Sequence, residues 1–454
     1  MRIMVIGAGK VGRTLAEHLS SEEYDVTIID QNEEILRECE DRLDVMCVHG
    51  NGANAKTLID AGVDHTDILI AATAGDEVNM LVCLMGKRLG AKYAIARIRD
   101  PQYNESLTLL QRELGIDMAI NPERATAQEI SRLLRYPFAS NIEPFAKGLV
   151  EMVEFRVQSK DRLNGLALKD LASKHPGLPR VLYAAVERSG DVTIPSGDFV
   201  LQDGDRVFVA GDVVTVTSFF RYLGRDTLRI KDVMILGGGR ISYYLAKLIV
   251  PTGIRVTIIE INPAKARKLS EDLPQVNVIC GDGTNQELLE QEGLSTTDAF
   301  IALCDRDEEN LMTGLFAERH GVPKVVVKNN RITYASIIES LGLDSVVSPR
   351  HITGATLLRY VRARVNADGA KVEKLYRLLG GAAEALEFEA RLTDSYIGIP
   401  LKDLTMRKNT LIAVIARRGK VIVPFGNDHI EAGDSVVVIA KERGLRDLNE
   451  VISR

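Results

Sequence analysis

No apolar run in this chain approaches the roughly 20 residues that a helix needs to cross a bilayer, so a membrane-spanning protein is not expected. Cysteine is sparse. The five residues Cys39, Cys47, Cys83, Cys280 and Cys304 are odd in number and show no CxxC spacing. That argues against a disulfide framework or a zinc site and points to a reducing cytosol. Excess positive charge is absent too. A net charge of −6 leaves no electrostatic footprint for nucleic acid and no basic helix for a membrane surface, so any membrane role must run through a protein partner. No GxSxG, HExxH or GxxxxGK[ST] motif occurs, which removes the most recognisable hydrolase, metalloprotease and P-loop signatures. The opening Met1–Gly7 stretch turns glycine-rich too soon for a signal peptide and reads as a first strand.

What the chain does contain is a duplication. Its 454 residues allow three or four compact units. Ile3-Met4-Val5-Ile6-Gly7-Ala8-Gly9-Lys10-Val11-Gly12 returns as Val233-Met234-Ile235-Leu236-Gly237-Gly238-Gly239-Arg240-Ile241-Ser242. Val26-Thr27-Ile28-Ile29-Asp30 returns as Val256-Thr257-Ile258-Ile259-Glu260, and Gly50-Asn51-Gly52 as Gly281-Asp282-Gly283. Asp76-Glu77-Val78-Asn79 matches Asp307-Glu308-Glu309-Asn310, and the run ending at Arg97 matches the one ending at Lys328. Landmarks repeated in order at near-constant separation mark two copies of one unit. Each copy has a weaker tail: Gly165–Leu171 resembles Gly398–Leu404, and Gln202-Asp203-Gly204-Asp205 resembles Glu431-Ala432-Gly433-Asp434. These tails read as short strands broken by Asp-Gly and Gly-Asp turns. The expected fold is α/β, with two Rossmann-like parallel-sheet N units each followed by a small α+β C unit. The expected bounds are 1–140, 141–225, 231–365 and 366–454, with the joins near 135–144, 221–231 and 366–386.

Each N unit opens as strand, tight glycine turn and helix, which is the first β-α of a dinucleotide-binding unit. Gly7 allows the turn, Gly9 lets the backbone approach a pyrophosphate, and Gly12 permits close strand–helix packing. The helix start then offers free N–H groups to the anion. Asp30 and Glu260 close the second strands, where a carboxylate accepts hydrogen bonds from ribose hydroxyls and repels a 2′-phosphate. Lys10 becomes Arg240 in the second copy. Because Arg forks onto phosphate oxygens, the second unit is expected to tolerate the more highly charged phosphate chain. Arg97 and Lys328 end a later strand facing the same crevice, and Thr73-Ala74 and Cys304-Asp305 end the fourth strands beside the adenosine. The seven histidines do not recur between copies or sit in a recognisable catalytic setting, and the C units form no obvious substrate domain. Binding without catalysis is expected, with an NAD-linked oxidoreductase of atypical domains as the alternative. The acidic run Asp305–Glu309 reads as a solvated helix start rather than a metal site.

These residues resemble the TrkA-type family of peripheral regulatory subunits of bacterial Trk potassium-uptake systems, built from tandem RCK (KTN) domains. The resemblance covers both glycine turns, both strand-two acids, the Gly-Asn-Gly and Gly-Asp-Gly turns, the Asp-Glu-x-Asn segments and both C units. It implies a cytosolic, non-enzymatic protein docked on the inner face of the cell membrane through a potassium-translocating partner. It also implies a homotetrameric ring of RCK domains, binding of NAD(H) and of ATP or ADP, and nucleotide-dependent gating of the partner. Carried over by motif, the first site would comprise Gly7, Ala8, Gly9, Lys10, Val11, Asp30, Thr73, Ala74 and Arg97. The second would comprise Gly237, Gly238, Gly239, Arg240, Ile241, Glu260, Asp282, Cys304 and Asp305. Departures at Ser242, Asn51 and Cys304 leave the second ligand less defined than the first.

Overall fold

Short runs of Ile, Val, Leu and Ala buried on both faces build the first parallel sheet. In the computed structural model, which describes residues 1–103, 106–225, 230–330, 343, 345–367, 372–378, 382–441, 445 and 447–453, every residue of the strand Ile68–Ala71 is buried. The sheet comprises β1 (Arg2–Ile6), β2 (Asp25–Asp30), β3 (Met46–His49), β4 (Ile68–Ala71), β5 (Tyr93–Arg97) and β6 (Met118–Ile120). All pairings are parallel, in the order β3-β2-β1-β4-β5-β6. This is the doubly wound order whose reversal point, between β1 and β4, opens a crevice at the carboxyl ends of the strands. Five helices lie between them, α1 (Lys10–Ser20), α2 (Glu33–Glu40), α3 (Ala55–Asp60), α4 (Asp76–Leu89) and α5 (Leu107–Leu114), and α6 (Pro122–Arg135) follows β6. Asparagine caps three of these starts. Asn32, Asn54 and Asn121 accept from the first-turn N–H groups of α2, α3 and α6, and Pro122 takes the first position of α6.

The first C unit is an antiparallel sheet of β7 (Ala139–Phe145), β8 (Val150–Arg156), β9 (Leu182–Arg188), β10 (Asp191–Thr193) and β11 (Arg206–Asp212), ordered β10-β9-β11-β8-β7. Helices α7 (Leu168–Lys174) and α8 (Val213–Tyr222) accompany it. The second N unit repeats the first: β12 (Asp232–Leu236), α9 (Arg240–Ile249), β13 (Arg255–Glu260), α10 (Pro263–Asp272), β14 (Asn277–Cys280), α11 (Gln286–Gln291), β15 (Ala299–Ala302), α12 (Asp307–Arg319), β16 (Lys324–Lys328) and β17 (Val346–Val347). Its parallel order is β14-β13-β12-β15-β16-β17. A helix, Pro349–Ala367, follows, then a second antiparallel sheet of Val372–Leu378, Ala383–Glu389, Ser435–Ala440, Thr410–Arg417 and Lys420–Ile422. The α/β expectation with α+β C units holds. Residues 226–229, 368–371 and 379–381, within two of the expected joins, lie outside the described residues. Among the described residues no helix is long and apolar enough to cross a membrane.

The cores do not follow the repeats. Helix α6, from the first N unit, packs on α9 of the second, and the helix Pro349–Ala367 packs on α1 of the first. Ile130, Leu133 and Leu134 of α6 therefore share one apolar cluster with Phe155 and Phe219 of the first C unit and with Val233, Ile235 and Leu245 of the second N unit. Leu357 and Val361 complete the cluster of Val5, Leu15 and Ile28. The two C-unit sheets meet through Phe145, Met152, Phe208, Val414, Val437 and Ile439. A polar tie crosses the same N–N interface: Tyr244 Oη donates to the Arg99 carbonyl (2.8 Å) and accepts from Asn121 Nδ2 (3.0 Å). Tyr244→Phe keeps the ring and removes both hydrogen bonds across the interface, while Asn121 Nδ2 still donates to the Arg99 carbonyl at 3.1 Å. The substitution is expected to lower stability by about 1–2 kcal/mol, read by denaturant titration, and an unchanged midpoint would refute the tie.

Candidate nucleotide-binding sites

The turn after β1 is shaped by one residue in the left-handed region. Gly7 has φ +100°, and its N–H donates to the Ile29 carbonyl (2.8 Å), pinning the turn to the end of β2. Gly9 then sits in extended conformation at the N-cap of α1, with no side chain to satisfy the first N–H groups of the helix. Over this helix start lies a cavity of about 590 Å³, within the range of small-molecule sites. Of the nine expected first-site residues, Gly7, Gly9, Lys10, Val11, Asp30, Thr73, Ala74 and Arg97 line it. Ala8 does not. Its side chain is fully buried and its N–H donates to Asp30 Oδ2 (2.6 Å), so this amide is already engaged. Asp30 Oδ1 accepts from the Asn32 N–H (2.9 Å), which fixes the carboxylate at the rim where a ribose would lie.

Asn79 holds the far wall. Fully buried in α4, it accepts through Oδ1 from Thr73 N–H (2.8 Å) and Thr73 Oγ1 (2.7 Å), and donates through Nδ2 to the Arg97 carbonyl (2.9 Å). It thereby stitches the end of β4 to the end of β5. Asp76, one turn earlier, accepts through Oδ2 from the N–H groups of Arg99 and Asp100, both at 2.8 Å. The Arg97 guanidinium donates to the Thr73 carbonyl. Burial pushes its pKa down, and repulsion from Arg99 and from Arg240 of the other N unit adds to this against the attraction of Glu123 and Asp76.

The second site repeats the frame. Gly237 has φ +95° and Gly239 caps α9, where Arg240 and Ile241 begin the helix. Glu260 is buried and accepts from Gly238 N–H (2.7 Å) and Asn262 N–H (2.8 Å). Asn310 copies Asn79: it accepts from Cys304 N–H (2.7 Å) and donates to the carbonyls of Cys304 and Lys328, each at 3.0 Å. Asp282 turns inward on its own loop, accepting from Thr284 N–H (2.9 Å) and Oγ1 (2.8 Å), which hold its carboxyl below the usual range. Asp305 is exposed, 3.8 Å from Lys328 Nζ. Burial lowers the Lys328 pKa, which Asp305, Cys304 and Asp307 oppose and Lys10 of the first unit reinforces. Burial also pushes the Cys304 thiol up to about 11, far from the thiolate a nucleophile needs. The acidic run at 305–309 starts α12, with Arg306 paired to Glu309 (2.9 Å).

Sequence reasoning flagged the Asp-Glu-x-Asn repeat without finding the task of its Asn. It also missed the apolar lining from Ile6, Ile29, Ile35 and Val78. Alternation in β1 and β2 was the available signal for the first two.

The sequence matches the TrkA-N domain family over residues 3–122 and 233–349, and the TrkA-C domain family over 152–224 and 386–453. The chain belongs to the TrkA family. It is 34% identical over 453 residues to the Trk system potassium uptake protein TrkA homolog of Archaeoglobus fulgidus, covering 99% of this chain and 100% of the relative. It is 35% identical over 444 residues to the Trk system potassium uptake protein TrkA of Vibrio alginolyticus, covering 96% and 95%. Among solved structures, the RCK domain of GsuK superposes with a TM-score of 0.63 at 19% identity over 97% of this chain and 92% of its own. The GsuK channel bound to NAD gives 0.63 at 19% identity, over 97% and 76%. These likenesses show that the TrkA family chain has the tandem RCK fold.

Proposed function

We propose that this chain is a nucleotide-sensing regulatory subunit of a Trk-type potassium uptake system, binding NAD(H) and ATP or ADP without turning them over. The carrying observation is the cavity over the α1 start, with Asp30 at its ribose rim and Arg97 at its inner end. A GsuK structure bound to ADP, with a TM-score of 0.50 at 17% identity, adds a nucleotide-bound relative of the same fold. The unit bounds are 1–140, 141–225, 231–365 and 366–454, and the two sites are formed by the expected residues other than Ala8, which lies buried beneath the first. The partner is a membrane potassium-translocating subunit, met at the cytoplasmic face of the membrane by a homotetramer of this chain. A ligand gates that partner only through different affinities for two ring shapes, typically a coupling of about 1–3 kcal/mol.

Calorimetric titration of the full chain with NADH, ATP and ADP tests the reading. Saturable binding at up to two sites per chain without conversion supports it, and no binding by any of the three removes it. Asp30→Ala removes both the ribose acceptor and the anchor of the Ala8 and Asn32 amides. It is expected to weaken first-site binding about 10–100-fold, as expected for loss of charge-assisted hydrogen bonds. An unchanged affinity would take the ribose contact away from Asp30.

A further inference from the structure

We propose that the two sites of one chain are unequal and antagonistic, in the reverse order to that expected from the Lys10–Arg240 exchange: the first takes the polyphosphate ligand, the second a ligand of lower phosphate charge, and filling the first weakens the second through Arg240. The inference rests on the nucleotide-binding reading above and concerns how the sites are regulated.

Arg240 and Tyr244 lie four residues apart on α9, hence on one helix face about one turn apart. The Tyr244 hydroxyl is fixed on the Arg99 carbonyl, just beyond β5 of the first N unit, and on Asn121 at the start of α6. Arg240 therefore stands one turn further toward the helix start, beside the carboxyl edge of the first sheet. The charge of Arg240 is felt by Arg97 there. Arg97 thus lines the cavity, Arg99 stands behind it held by Asp76, Glu123 and the Ala74 carbonyl, and the charge of Arg240 bears on Arg97 from across the interface. Arg97 Nε is buried without a hydrogen-bond partner among the described residues, leaving a donor for a ligand.

The counterpart end of the second site is poorer in charge. Lys328 stands where Arg97 does. Asn330 takes the place of Arg99, bonded to Asp307 as Arg99 is to Asp76 but without a charge, and Asp305 brings a carboxylate to 3.8 Å from Lys328 Nζ. The cation reaching across is Lys10, a point charge rather than a fork. Guanidiniums clamp terminal phosphates bidentately, so the richer end selects the longer phosphate chain. Arg240 also begins the helix of the second site. A single guanidinium drawn to phosphates on the first side is lost to the second, and two phosphate chains across one interface repel.

Gly9 and Gly239 supply a clean test, because a β-carbon built on either meets no atom within 4 Å. Gly9→Leu and Gly239→Leu are each expected to obstruct one site without a clash at the β-carbon. In calorimetry with ATP, the unaltered full chain should show two events, the first at least about tenfold tighter, the scale of one charge-assisted hydrogen bond. Gly9→Leu should abolish the tight event and leave one site that binds ATP several-fold tighter than the second event of the unaltered chain. Gly239→Leu should retain the tight event. Arg240→Gln should weaken that event about tenfold for ATP and less for ADP. Two equal, independent events, or a residual site unchanged by Gly9→Leu, would overturn the antagonism while leaving nucleotide binding in place. No binding at all would overturn the underlying reading and the antagonism with it.

Discussion

Replacing Gly12 with alanine is expected to cost about 3 kcal/mol and to lower the thermal transition of the first N unit by about 6–12 °C. Gly12 is buried in the first turn of α1, and a β-carbon there would overlap the carbonyl oxygen of Gly7. The atom cannot be swung aside, since it belongs to the turn that Gly7 and Ile29 hold together. The helix start must retreat instead, moving its free N–H groups off the phosphate position, so nucleotide affinity at this site should fall at least about tenfold. The second unit provides the control. Ser242 occupies the matching position with its β-carbon accommodated, and its hydroxyl donates to the Gly237 carbonyl at 2.5 Å. Ser242→Gly should therefore cost only about 1 kcal/mol. Scanning calorimetry of the two variants reads the contrast. Equal transitions would show that helix and turn are not in contact at Gly12.

Asn79→Ala should be comparably severe for a different reason. It removes no large volume, but it leaves Thr73 N–H and the Arg97 carbonyl without partners at the floor of the cavity. Each buried polar group left unsatisfied costs about 1–3 kcal/mol, so a total near 3 kcal/mol is expected. Because Thr73 and Arg97 both line the cavity, their loosening should weaken ligand binding about 30-fold. Hydrogen exchange at the ends of β4 and β5 localises the effect. Fast exchange confined to Thr73–Arg99 is the expected pattern. Unchanged protection there would mean that Asn79 does not join the strands.

Short-range features were legible in the sequence because one residue type has one physical task. Gly7 and Gly237 announce a positive φ, Asp30 and Glu260 a strand-end carboxylate, and Asp205 and Asp434 a Gly-Asp turn. The partners of these groups were not legible, since folding chooses them at a distance. Asp205 and Asp434, nearly inaccessible, are each clamped by an arginine from a neighbouring strand, Arg188 at 2.7 Å and Arg417 at 2.8 Å. Nothing in the spacing announces that pair. The apolar stripe of α6 says that the helix buries a face, yet its choice of α9 rather than its own sheet is a tertiary decision. For the same reason Arg240 was assigned to its own turn, while its charge is felt by Arg97 of the other unit.

The exchanged helices have a consequence for half of the molecule. A fragment ending before the second N unit would carry a plug, the apolar face of α6, without the socket that α9 provides. On α1 it would also expose the seat vacated by Leu357 and Val361. Plug and socket are present in both halves of the chain, so two identical first halves hold between them everything one intact chain uses. Such a fragment is expected to pair with itself, and sedimentation would find it at twice its own mass.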